Sequence, residues 1–307
     1  MDPALATAIF VTGLAFGSFL NVCVYRLPKG LSVVTPRSAC PKCGKMIAFY
    51  DNLPVISWLA LRGRCRHCKN RIAVRYLLVE LLTGCVFLAC YAFFGWTLAT
   101  IKFCAFGFLI IGLIFTDAET HLLPDTLTLP GLFLGLICSL LVPVNDFASQ
   151  LLPGVVSMPL SSDISSRLLS FGDALLGAAV GAAFIYGAGA IYLRARGVEG
   201  MGFGDVKLMA MVGAFLGVKL TILTIFAASI AGSLFGLWTV LVVWIKRTRR
   251  RIARHQESPR EARQRAWESA QIALRRHQMP FGVFLGGMAM AAAFYGDRLL
   301  HWYWGLL

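Results

Sequence analysis

The run Phe103-Cys104-Ala105-Phe106-Gly107-Phe108-Leu109-Ile110-Ile111-Gly112-Leu113-Ile114-Phe115, followed by Thr116-Asp117, decides the fold. Thirteen uncharged residues end on a carboxylate. Such a run reads as part of a membrane-spanning helix. An ionisable group at its edge is costly there, so it marks a functional site by default. A second carboxylate has the same setting. Asp205 closes Gly200-Met201-Gly202-Phe203-Gly204-Asp205-Val206-Lys207-Leu208 and precedes another apolar run. Asp117 and Asp205 are therefore expected to meet at one membrane surface.

The rest of the chain agrees with a membrane setting. Of 307 residues, 58% are hydrophobic and 14% charged, and the mean hydropathy is +0.71. This excludes a soluble globular domain. The pattern predicts an all-α polytopic membrane protein of about eight transmembrane helices with a small cytosolic metal-binding loop. The expected spans are residues 4–25, 75–95, 97–116, 126–144, 173–193, 206–218, 220–245 and 279–296. They organise the chain into a first helix (1–25), a Cys-rich cytosolic loop (26–74), a helix bundle (75–245), a basic cytosolic segment (246–278) and a last helix with its tail (279–307). Residues 145–172 read as an external loop. Glycines at 13 and 17, and at 177, 181, 187 and 189, suggest faces for close helix contact.

The net charge of +14 would suggest nucleic acid in a soluble protein. Its placement argues against that. Of 29 Lys and Arg, 25 lie in three places: Arg26–Arg75, Lys246–Arg276, and the group Arg194, Arg196 and Lys207. With eight spans all three face one side, which is the positive-inside pattern. The membrane partner is lipid, and no nucleic acid is implied. The first apolar run has no basic region before it, and Arg26 and Lys29 follow it. It reads as a retained helix with an external N-terminus.

Two motifs carry chemistry. The first is Cys40-Pro41-Lys42-Cys43 with Cys65-Arg66-His67-Cys68. Paired Cys-x-x-Cys turns can set four thiolates tetrahedrally around zinc. Lys42, Lys45, Arg64 and Arg66 are expected to favour the thiolates. Four sulfurs leave no open coordination position, so the metal reads as structural. His67 is a spectator, and the other five cysteines act as small apolar residues. The second motif is the aspartate pair. One carboxylate would activate water while the other donates a proton to the scissile carbonyl. Gly200, Gly202 and Gly204 would let a peptide lie against the backbone.

Plainer roles compete with these. Asp117 could be a simple helix-end carboxylate, Asp125 a cap of the fourth helix, and Asp205 an N-cap of the sixth. Glu80 reads as structural, paired with Arg75 or a backbone donor in the bundle. Ser258-Pro259-Arg260-Glu261 starts a helix whose alanine stripe (Ala262, Ala266, Ala270, Ala273) reads better as a solvated connector than as a lipid-binding face. A transporter or scaffold that uses the aspartates for proton coupling is a rival of another class. The absence of an internal repeat argues against it.

Together the motifs resemble the bacterial type IV prepilin peptidases, the leader peptidase/N-methyltransferases of the Gly-x-Gly-Asp membrane aspartyl protease class. Ser18-Phe19-Leu20-Asn21-Val22 with Tyr25-Arg26-Leu27-Pro28 resembles the first-helix signature. The Cys pairs resemble the metal loop, flanked by Asn52-Leu53-Pro54-Val55 and by Arg75-Tyr76 with Val79-Glu80. Asp117 and Asp205 match the two catalytic aspartates. The resemblance implies cleavage of a short basic leader after a glycine in prepilin or pseudopilin precursors, at the cytosolic face of the bacterial inner membrane. It also implies methylation of the new N-terminus by S-adenosylmethionine, in a pilus, secretion or competence system. A peptidase without methylation is the rival within this class. No Rossmann-like fingerprint marks a methyl-donor site, and nothing in the sequence sets an oligomeric state. The chain departs from the family pattern in a long gap before the fifth span, in the length of 246–278, and in Val283, where a second proline is usual.

Overall fold

A computed structural model describes residues 2–143, 162–197, 202–255, 258–276 and 280–305. Among these the protein is helical, with two isolated β-bridges and no strand. The helices are α1 (Pro3–Arg26), α2 (Ile56–Ala60), α3 (Val74–Phe94), α4 (Leu98–Thr120), α5 (Asp125–Leu141), α6 (Ser162–Arg196), α7 (Phe203–His255), α8 (Pro259–Arg276) and α9 (Phe281–Trp304). Six of them (α1, α3, α4, α6, α7 and α9) are long and apolar enough to cross a membrane, while α5 is a shorter apolar helix. Length and composition therefore do not confirm the expected eight spans. That number is reached only by adding α5 and dividing α7 in two.

Small residues set how the helices meet. A Cβ on Gly13 would lie 2.8 Å from the Gly84 Cα, and one on Gly17 would lie 2.7 Å from the Glu80 Cα. α1 and α3 therefore pack nearly backbone to backbone, as the sequence suggested. Gly177 and Gly181 do the same for α6 against α7, where their Cβ atoms would lie 2.6 Å from the carbonyls of Gly213 and Met209. Gly187 has open space instead. The core between α4, α7 and α9 includes Phe106, Ile110, Met211, Phe215 and Leu285.

α7 is interrupted at Gly217, with φ 75° and ψ 178°, a conformation essentially confined to glycine. This break falls where the sixth and seventh spans were expected to divide. Asp173 of α6 sits against it, buried, with the Val218 backbone N–H facing its carboxylate. Its Oδ1 makes no hydrogen bond. Asp173 was not singled out from the sequence, because it stood at the margin of an expected loop.

Several expectations are corrected. The helix expected from 173 begins at Ser162, and residues 144–161 lie outside the described residues. The polar stretch Thr116–Asp125 is not all turn, since α4 continues to Thr120 and carries Asp117 inside its last turn. α7 continues past 245 to His255. α8 packs on that extension instead of standing free as a connector. Trp244 Nε1 donates to the Arg263 carbonyl at 3.0 Å, Arg247 donates to the Ser269 carbonyl at 2.5 Å, and Ala266 is fully buried. The Ser258 start is as expected, with Ser258 Oγ accepting from the Glu261 N–H at 3.4 Å.

Candidate active site

Three helix ends build the site. α4 ends where His121 takes a left-handed conformation (φ 53°) and its N–H closes on the Asp117 carbonyl at 2.9 Å. The turn 121–124 then leads into α5. α7 begins at Phe203, so Asp205 lies in its first turn and is not its cap. Its own N–H donates to the Gly202 carbonyl at 3.1 Å. Gly204 lets this turn approach the α4–α5 connection, because a Cβ there would lie 2.9 Å from the Leu123 Cβ. Lys207 then bonds both Asp125 oxygens, at 2.6 and 2.7 Å. Asp125 is thus the first residue of α5, engaged in an ion pair, while Pro124 holds the cap position.

The third end is α9. Pro280 precedes it, and the backbone N–H groups of Val283 and Gly282 face the Asp117 carboxylate. First-turn amides are at best weakly engaged within their own helix, as Val283 N–H is with the Pro280 carbonyl at 3.3 Å, and they favour negative charge. By contrast, the end of α4 has the opposite dipole sign and offers Asp117 no such support. A plain helix-end role is therefore a poor account of this carboxylate.

The two aspartates converge on Gly282. A Cβ placed there would lie 2.8 Å from Asp117 Oδ2 and 3.4 Å from Asp205 Oδ1. The two oxygens are consequently within about 6 Å of each other, the range in which carboxylates interact directly. Both residues are buried, at 6% and 8% exposure, and Asp117 Oδ2 has no hydrogen-bond partner. The site thus offers an unsatisfied carboxylate oxygen, a second carboxylate beside it, and helix amides behind. Gly202 lies immediately before α7, within 4.0 Å of Asp205 by its added Cβ. Gly200 lies outside the described residues. Sequence reasoning missed Gly282. The signal was Met279-Pro280-Phe281-Gly282 opening a helix, which by itself looks like an ordinary start.

The cysteine loop forms a separate centre. Cys40, Cys43, Cys65 and Cys68 hold their sulfur atoms within 4.8 Å of one another. Zn–S bonds of about 2.3 Å in a tetrahedron put sulfurs about 3.8 Å apart, and Cys40 Sγ lies 3.8 Å from Cys68 Sγ. Each pair sits in the same kind of turn. Cys40 N–H bonds the Lys45 carbonyl at 3.0 Å, and Cys65 N–H bonds the Asn70 carbonyl at 2.9 Å. Backbone N–H groups, first that of Cys43 and then that of Lys42, draw the Cys40 thiol down to about 7. The expected help from basic side chains is not what acts on Cys40. Arg66 forks onto Asp51 at 2.8 and 2.6 Å, and Lys42 reaches Asn70 at 3.4 Å. The four-cysteine cluster fits zinc.

Glu80 ties this loop to the bundle. Its Oε2 accepts the Val55 N–H at 2.8 Å. A backbone donor was expected from within the bundle; the one found belongs to the cysteine loop. Arg75 pairs instead with Glu119 of α4.

Fold and site define a multi-pass helical membrane protein with a buried aspartate pair and a four-cysteine knuckle. Residues 11–94 match the Bacterial Peptidase A24 N-terminal domain, and residues 103–237 match the Type IV leader peptidase family. The chain belongs to the type IV leader peptidase family. Among similar proteins is the Prepilin leader peptidase/N-methyltransferase of Myxococcus xanthus (strain DK1622), 39% identical over 78% of this chain and 64% of that one. The chain thus spans just under two thirds of that relative. The protein of the same name from Pseudomonas putida is 37% identical over 79% of this chain and 84% of that one. That of Aeromonas salmonicida (strain A449) is 31% identical over 96% and 92%. No solved structure matches the chain. The matched family segment stops at 237, so α9, which brings Gly282 to the aspartates, lies beyond it.

Proposed function

We propose that this protein is a prepilin leader peptidase and N-methyltransferase of the bacterial inner membrane. The observation that carries the peptidase reading is the convergence of Asp117 and Asp205 on Gly282. Two carboxylates so placed share one proton. The ionised one takes a proton from water, whose oxygen attacks the scissile carbonyl. The protonated one donates to the carbonyl oxygen. No covalent enzyme intermediate forms. The burial of both groups limits access by bulk water, and Gly202, which has no side chain beside Asp205, leaves room for a substrate backbone.

The substrates are prepilin or pseudopilin precursors with a short basic leader cut after a glycine. The aspartates face the cytosol, a reading supported by the positive-inside distribution of Lys and Arg. The four cysteines hold a structural zinc ion. S-adenosylmethionine supplies the methyl group, a reading supported by the names of the relatives.

Purified protein incubated with precursor and a labelled methyl donor tests both halves. The expected result is a shortened product carrying label. Asp117→Ala and Asp205→Ala, made separately, should still insert but leave the precursor full length. Processing by either variant at the normal rate would overturn the peptidase assignment. Cleavage with no label in the product would remove the methyltransferase half alone.

A further inference from the structure

The cysteine loop carries a ridge of apolar side chains that nothing among the described residues covers. Met46, Phe49, Ile56 and Leu59 are 67%, 76%, 65% and 57% exposed, and Tyr50 and Leu53 continue the ridge. Six exposed apolar or aromatic side chains between residues 46 and 59 are the kind of surface that marks an interaction site. The short turn Phe49–Asn52 and helix α2 pack on each other, with no extensive packing on the aspartate-bearing helices among the described residues.

The loop is pinned low. Both its ends are membrane helices, α1 and α3, which pack side by side and return the chain to one face. In between, the Val55 N–H is held by Glu80. Glu80 lies six residues inside α3, or about 9 Å along its axis. That depth is comparable to the headgroup layer flanking a bilayer's hydrocarbon core. Leu53 and Ile56, on either side of the pinned residues, are exposed, and a bilayer around α3 would put them at interfacial depth. Val55 itself is held at φ 61°, a costly backbone for a β-branched residue, so the fold spends strain to keep the segment there.

Charge identifies the occupant. Residues 26–73 contain ten Lys and Arg against one carboxylate, Asp51, which Arg66 already engages. An apolar ridge with aromatic residues and a basic rim is the composition of a surface that seats on anionic lipid. We propose that the ridge from Met46 to Leu59 is an interfacial anchor, sunk among the headgroups and upper acyl chains of the anionic leaflet, while the metal knuckle stays on its aqueous side.

The test uses the full chain in bilayers containing phosphatidylglycerol, with the photo-crosslinking residue p-benzoylphenylalanine at Ile56, at Phe49, or at His67 in the knuckle's second Cys turn. Irradiation should yield lipid adducts several-fold more abundant at Ile56 and Phe49 than at His67. The yield at both should fall when phosphatidylcholine replaces the anionic lipid. A double variant, Ile56→Ser with Leu59→Ser, should retain its zinc content, which reports an intact knuckle, yet be cut faster by protease in the same bilayers. Lipid adducts no more abundant than at His67 would overturn the proposal. So would adducts to added precursor in place of lipid, since the ridge would then be a protein-docking surface. Unchanged protease resistance in a zinc-loaded double variant would also contradict it.

Discussion

The two chemical centres of this molecule are built in opposite ways. The knuckle draws all four sulfurs from residues 40 to 68, in two copies of one hydrogen-bonded turn. The aspartate site draws on the end of α4, the start of α7 and the start of α9, spread from 117 to 283. A metal centre made from local turns needs little from the bundle, because chelation itself closes the loop. A carboxylate pair has no bond to close it. Helix packing must hold the two groups against their own repulsion, and here that falls to glycine contacts and to the amides of α9. The first centre should therefore respond to its ligands, and the second to backbone geometry.

Gly282→Ala should give the largest effect on the aspartate side. The new methyl group would overlap Asp117 and press on Asp205, so precursor cleavage should fall by about 10²-fold or more, a loss typical of slight misplacement at a reacting centre. Bound zinc, measured by metal analysis, should not change. Zinc loss in this variant would show that the two centres are not separable.

Cys40→Ser probes the other side. It removes one of four ligands, so the metal content should fall well below that of the unaltered protein, because three thiolates leave an open coordination position. Cleavage should fall less than in Gly282→Ala. An equal loss would mean that the knuckle supports the aspartates as well, with Glu80 and the Arg75–Glu119 pair as the connection.

The smallest effect is electrostatic. The Arg66 guanidinium fork holds the Asp51 carboxyl below its ordinary range. Its contribution to stability is therefore present above the unfolded carboxyl value and is lost as pH falls through the folded one. The pair is partly exposed, and such pairs contribute little. Chelator-driven zinc release should be slightly faster in Asp51→Asn than in the unaltered protein at neutral pH. The two rates should converge as the medium is acidified. A difference that widens in acid would contradict the sign.

The contrast also explains what could be read from the sequence. Cys-x-x-Cys spacing defines its centre locally, and the four sulfurs converge as the spacing implied. Apolar runs gave the helices and the break near Gly217. Asp117 and Asp205 stood out because charge is rare in such runs, but nothing in either stretch told which third helix would meet them. Gly282 and the α9 amides are a tertiary fact, invisible to periodicity. Helix ends were the weakest point. α4 runs on through Asp117, α6 begins before its glycine face, and α7 leaves the membrane without a break, because polar residues near a span can extend a helix as readily as end it. The alanine stripe of the basic segment looked too thin to bury area, yet at Ala266 it packs on α7, where a small residue permits close approach.

The central claim is that Asp117 and Asp205 act as one unit, and a double-mutant cycle on precursor cleavage tests it most directly. Each single change to alanine should lower the rate by at least about 10²–10⁴-fold, as loss of a general acid or base does. The double variant should be no slower than the worse single, because residues of one catalytic unit are not additive. Losses that multiply in the double variant, or a single variant that keeps most of its rate, would show that the two carboxylates work apart and would contradict the account.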